Sequence, residues 1–312
     1  MSELLAATNL GVIRIDGGSA RREEGPDATH FLARGADGVY ACTDAGAIWR
    51  RGNEGWRLIT QRAVPDDVWS FAADPRLPGR LYLGVSPAMF YRSSDGGASW
   101  TACESLKRLP GYETWTFPPP PHIAHVRSIA LDPAVEGGVY IGVEEGGVYR
   151  SRDGGDTWDS LNEGLYWDVH TVVPAAAGSD VYATTGAGFH YSDDGGARWT
   201  HVPLAHRYTV PLLAPKSGGG ALVTVAAEGP PPTWARGVNG AVYKSDDAGR
   251  SWRHIERGLP EALDRMPSSL IEDTDGRLHA SIGKMVLTSD DAGESWRTLS
   301  DDLPEVRSLV AA

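Results

Sequence analysis

The 312 residues carry 41 acidic and 29 basic side chains, a formal net charge of −12, which argues against nucleic acid and anionic membrane surfaces as partners. Two cysteines, Cys42 and Cys103, are too few for a disulfide framework or a cysteine metal site. No stretch approaches the roughly 18 apolar residues that span a bilayer, and the N-terminal MSELLAATNLG lacks a signal peptide's basic and apolar regions, so a cytoplasmic protein is expected.

Taken in order, the chain reads as short strands joined by glycine turns. Residues 3–15 (ELLAATNLGVIRI) match the middle of later units, where Gly138–Val143 precedes Gly147–Arg150, so the chain is expected to enter at the second strand of a unit. A decayed turn follows, with Asp16 and Gly18 in place and Arg14 and Arg21 where other units have Ser and Trp. Unit two runs from Thr29 to Trp56, with strands around HFLAR, GVYACT and AIWR and a shortened turn RRGNEGW. Units three and four span Val68–Trp100 and Val126–Trp158, and their openings rhyme as VWSFAADP and VRSIALDP. Unit five runs from Val169 to Trp199, unit six from Tyr208 to Trp252, and unit seven from Pro267 to Trp296. The final Val306–Val310 reads as an opening strand with no unit behind it, which completes the unit begun at residue 3.

Five units share an octamer, S-x-D-x-G-x-x-W, starting at Ser93, Ser151, Ser192, Ser245 and Ser289. Its chemistry is that of a turn: the Asp accepts bonds from backbone N–H groups ahead of it, and the Gly supplies a positive φ. The Trp buries a large apolar face at the start of the next strand. This octamer resembles the Asp-box (BNR) repeat of sialidases, xyloglucan-cleaving glycosidases, sortilin-type receptors and photosystem assembly factors. The resemblance implies β-propeller blades with the box between third and fourth strands, on the edge away from the ligand site. Six internal units and one shared between the termini predict an all-β, single-domain propeller of seven blades, closed by pairing the two ends.

Two insertions, residues 101–125 with Tyr112, Trp115 and Pro118–Pro121, and residues 226–240 around Trp234, are of the fourth-to-first and second-to-third kinds. Both are expected to decorate the face opposite the octamers. The first inward residue of each opening strand should line the channel mouth there: Thr29, Trp69, Arg127, His170, Thr209, Ser268 and Arg307. Second-to-third connections add Asp44, Glu144, Glu145 and Lys284. Arginines facing one cavity favour a carboxylate or phosphate, because the guanidinium fork binds such groups bidentately. The expected ligand-binding set is therefore Trp69, Arg127, His170, Arg307, Glu144 and Asp168, with Trp115 from the first insertion, acting on a small anionic or carbohydrate-like ligand or a partner peptide.

Two readings compete with binding alone. His122, His125 and His170, with Glu144 or Asp168 near, would suit a divalent transition metal, although no cofactor is predicted by any motif. Glycoside hydrolysis, or a metal-assisted lyase or hydrolase reaction, would need two flanking carboxylates or an activated tyrosine. The acids available on that face are Asp44, Asp67, Asp168, Glu144, Glu145 and Glu228. None falls in the sialidase pattern, which the resemblance associates with an arginine triad and usually six blades. The xyloglucan enzymes use two propellers around a cleft, and this chain offers one.

Overall fold

Runs such as Val139–Val143 and Gly147–Ser151 alternate β-branched and aromatic residues and end in turn chemistry, so they pair as antiparallel hairpins. The computed structural model describes residues 3–17, 19–216 and 219–312. Gly18 of the decayed turn lies outside the described residues. Seven sheets of four strands each form a ring, and each blade runs in chain order from the channel outward. Blade one is the composite: Val306–Ala311 pairs with Leu4–Thr8, which pairs with Gly11–Asp16 and then Ser19–Arg22. No α-helix occurs among the described residues, and three short 3-10 turns sit in the two insertions.

The core lies between blades. Second strands are covered on both faces, so Leu4–Thr8, Val139–Val143, Val181–Thr185, Leu222–Ala227 and Leu278–Ile282 are buried throughout. Such strands read as continuous apolar runs because neither face meets water. The opening strands face the channel and are only half covered, as in Val126–Leu131.

In the octamers, Asp153 Oδ1 accepts from the backbone N–H of Asp156 (3.0 Å) and Thr157 (2.8 Å), while Oδ2 accepts from the Thr157 hydroxyl (2.6 Å). The Ser151 hydroxyl receives the N–H of Gly155 at 2.7 Å, with Gly155 at φ 103°. The same bonds recur around Asp95, Asp247 and Asp291, each with a serine at the place of Thr157. Blades one and two lack this turn. Asp16 pairs directly with Ser19 in blade one, and in blade two Gly52 pairs with Gly55, so a two-residue hairpin replaces the octamer there.

Two details of the opening strands build the mouth. In six blades the strand bulges by a residue against its neighbour, at His30, Trp69, Arg127, His170, Val210–Pro211 and Arg307. In four of them the next residue carries a hydroxyl that latches adjacent blades, and in the other two it is Phe31 or Leu212. Ser70 donates to the Val126 carbonyl (2.7 Å) and Thr171 to that of Val210 (2.7 Å), whereas Ser128 and Ser308 accept the N–H of Val172 and Leu32. In blade seven, whose opening strand pairs without a bulge, Ser269 accepts the N–H of Leu309.

The bulge corrects the expected ring at two places. Thr29 and Thr209 sit one residue before it, buried, with hydroxyls donating to the Asp27 and Thr185 carbonyls. His30 and Val210 take the aligned positions, because a bulge inserts a residue that period-two alternation cannot reveal.

Candidate functional site

Blades three to six place a connected group of side chains at the decorated mouth. Glu144 follows the second strand of blade four and is 3 % exposed. Its Oε2 accepts from His125 Nε2 at 3.0 Å and from Arg127 Nη1. Burial opposes its charge, but the His125 hydrogen bond and the Arg127 guanidinium outweigh that and hold the carboxyl down at about 2. His125 is buried and carries the Trp69 indole stacked on its ring, centroids 3.5 Å apart. Phe117, from the first insertion, meets both rings edge-on.

Next along the ring, His170 is buried with Nδ1 against the Thr209 carbonyl, and its Nε2 lies 3.4 Å from Asp168 Oδ1. Neither of those last two atoms has a hydrogen-bond partner. Glu144, Asp168 and His170 can each present one ligand atom such that all lie within 4.8 Å of one another. Tyr208 opens blade six with its ring 4.4 Å from that of His170, and Trp234 of the second insertion packs edge-on against it. Burial pushes the Tyr208 phenol well above its usual range.

The remaining expected residues fall elsewhere. Arg307 pairs with Asp44, beside His30, in blades one and two, so the two ring arginines serve separate carboxylates. Trp115 wedges against Tyr149 and donates its indole N–H to that hydroxyl at 3.1 Å, which makes it a packing residue of the first insertion. Ser268 bonds Ser281 and the Val306 carbonyl. The three-imidazole metal set is not assembled: His122 is exposed, at φ 65°, with Nδ1 against the Phe117 carbonyl, and His125 gives its Nε2 to Glu144. The group that gathers is two carboxylates and one imidazole.

Sequence reasoning missed two exposed aromatics beside the mouth. Tyr166 and Trp167 are 41 % and 48 % exposed, Trp69 is 38 % exposed, and the Trp167 carbonyl accepts the N–H of Gly146 at the Glu144 hairpin. Their signal was two adjacent aromatics in a connection outside the strand alternation. Glu145, at φ 50°, has its carboxyl raised by burial and by the charges of Asp168 and Glu144. Two clefts lie outside the Glu144, Asp168 and His170 group. One of about 760 Å³ is lined by Arg14, Arg51, Glu23 and Trp56, whose polar groups already bond to one another or to Glu3. Another of about 700 Å³ lies by Glu228 and Leu263. The mouth is the stronger candidate because its buried polar atoms are left unpaired.

No protein-family model matches the chain, and no curated protein matches it. Solved structures do resemble it. The GH74 xyloglucanase from Xanthomonas campestris superposes at TM-score 0.62 with 18 % identity, covering 96 % of this chain and 47 % of its own. The GH74 enzyme of Niastella koreensis gives 0.61 and 17 %, covering 94 % and 46 %. This chain thus spans about half the length of those enzymes. YCF48 bound to a D1 peptide gives 0.60 and 17 %, covering 86 % of this chain and 80 % of its own. At these identities the likeness is one of fold: the chain is a seven-bladed β-propeller with neighbours among glycoside hydrolases and a peptide binder.

Proposed function

We propose that the mouth between blades three and six binds a carbohydrate-like ligand without cleaving it, within a chain that we also read as an Asp-box repeat protein from its octamers. The observation that carries this is the exposure of three aromatics beside the buried polar group: Trp69, stacked on His125, and Tyr166 and Trp167, which lead directly into Asp168. Flat indole and phenol faces suit the C–H faces of a sugar ring, and clustered exposed aromatics on a soluble protein usually mark a contact site. An anionic ligand is less well supported than the sequence suggested, since Arg127 and Arg307 are each neutralised by Glu144 and Asp44. Hydrolysis is also less well supported, because Glu144, held at about 2, is a poor general acid. The YCF48 likeness favours a second reading, a peptide ligand, because the two chains match over most of both lengths.

Titration calorimetry with xyloglucan oligosaccharides, cello-oligosaccharides and a set of short peptides tests this. Trp69→Ala and Trp167→Ala should each weaken sugar binding by about 2 kcal/mol, roughly thirtyfold. Sugar affinity unchanged in both variants overturns the reading. Binding of peptides alone replaces it with the second.

A further inference from the structure

We propose that Glu144, Asp168 and His170 hold a divalent transition-metal ion, of the manganese or zinc class, on the floor of this mouth. The argument starts at His170 Nδ1, which faces the Thr209 carbonyl. A carbonyl oxygen only accepts, so Nδ1 carries the proton and donates it. In the neutral imidazole, Nε2 is then a bare lone pair. That atom is buried, has no hydrogen-bond partner, and lies 3.4 Å from Asp168 Oδ1, which is likewise buried and unpartnered. Two lone pairs left facing each other out of water are costly unless something electron-poor lies between them.

A cation fits the spacing. Bonds of about 2.1 Å around a tetrahedral ion put its ligand atoms about 3.4 Å apart, which is the His170–Asp168 separation. A Glu144 oxygen lies within 4.8 Å of both others and joins the set once its side chain closes onto the ion. The surroundings are those of ligands already oriented. An imidazole that donates its far N–H to a carbonyl is fixed in ring position and tautomer, the usual arrangement around a bound metal. Glu144 is likewise held by His125 and Arg127. One nitrogen and two carboxylates suit manganese or zinc, whereas calcium takes six to eight oxygens. Three protein ligands leave coordination positions free, and an oxygen pair of the ligand would fill them. That last step rests on the sugar-binding reading, while the ion itself does not.

The alternative occupant is a proton on His170 Nε2, giving an imidazolium paired with Asp168. Chelator-stripped protein titrated with Mn²⁺, Zn²⁺ and Mg²⁺ against a chromophoric competitor separates the two. Cobalt substitution supplies an absorption signature of bound nitrogen and oxygen donors. One Mn²⁺ or Zn²⁺ per chain is expected, Mg²⁺ much more weakly. Asp168→Asn, which keeps the side-chain shape, and His170→Gln should each weaken the ion more than about a hundredfold, since losing even a supporting contact costs 10- to 100-fold. His122→Ala should change nothing. Near-ultraviolet circular dichroism checks that the variants fold. No uptake of Mn²⁺ or Zn²⁺ when the stripped protein is titrated, or equal affinity in Asp168→Asn, overturns the proposal. The same oligosaccharides, titrated into stripped and loaded protein, keep the two readings apart. Ion binding with no sugar in either state would remove the ligand and leave the ion, and sugar binding with no ion would do the reverse.

Discussion

Asp153→Ala removes four contacts from one turn: two backbone N–H groups, the Thr157 hydroxyl and the Ser151 hydroxyl. A hydrogen bond to a charged acceptor is worth about 1.5–3 kcal/mol when water cannot replace it. Here Asp156 and Thr157 are exposed and water can reach their donors, so most of that is recovered. The buried Ser151 hydroxyl keeps the N–H of Gly155 and loses only its acceptor. The net loss should be about 2 kcal/mol, within a range of roughly 1–3. For 312 residues, an unfolding entropy near 2.1 cal/mol/K per residue turns that into a Tm shift of about 3 °C. Scanning calorimetry beside urea denaturation measures it. The effect also depends on pH. Burial opposes the Asp153 charge, but the Thr157 hydroxyl and N–H outweigh it and hold the carboxyl below its usual value. A depressed folded-state value means stabilisation that is complete above the ordinary aspartate range near 4 and is lost as pH falls through the folded value. The wild type and Asp153→Ala should therefore converge in stability as pH falls below the ordinary aspartate range. An unchanged Tm at pH 7, or a gap that persists in acid, would refute the reasoning, as would lost ligand binding at unchanged Tm.

Removing residues 304–312 takes away Val306–Ala311, exposes the edge of Leu4–Thr8, and should yield aggregates in size-exclusion chromatography rather than a monomer as stable as the parent. Burial, reinforced by neighbouring His201, pushes His190 down to about 4, so its contribution is complete above about 6.5 and is lost as pH falls toward 4. His190→Leu should flatten the stability profile in that window by up to about 3 kcal/mol, read by urea titration at each pH. Arg307→Ala, whose guanidinium pairs with Asp44, should leave oligosaccharide affinity unchanged by calorimetry, whereas Arg127→Ala should reduce it by leaving the buried Glu144 carboxylate without its guanidinium partner.

The blades were legible because their turns demand particular side chains. Asp95 and Asp153 must accept from the residue four ahead, and Gly97 and Gly155 must hold a positive φ, so those letters recur wherever the turn does. The ring was legible only as far as strict alternation holds. At His30 the bulge shifts the count by one, and hydrogen-bond register, which no residue type reports, decides the outcome. The mouth was half legible. Trp69, Arg127 and His170 were found by position, but the spacing of His122 and His125 suggested an imidazole pair where the chain turns one outward and gives the other to Glu144. Tyr166 and Trp167 escaped because a connection with no counterpart in other units offers nothing to align.

The bulge in the opening strands separates two tasks. At Trp69, Arg127 or His170 the extra residue faces no cross-strand partner, while the hydroxyl beside it at Ser70, Ser128 or Thr171 ties one blade to the next. At these places the tie between blades rests on the hydroxyl, so the side chain beside it is not needed to close the ring. A change at Trp69 or Arg127 therefore alters the mouth while the bond from Ser70 or to Ser128 stays in place.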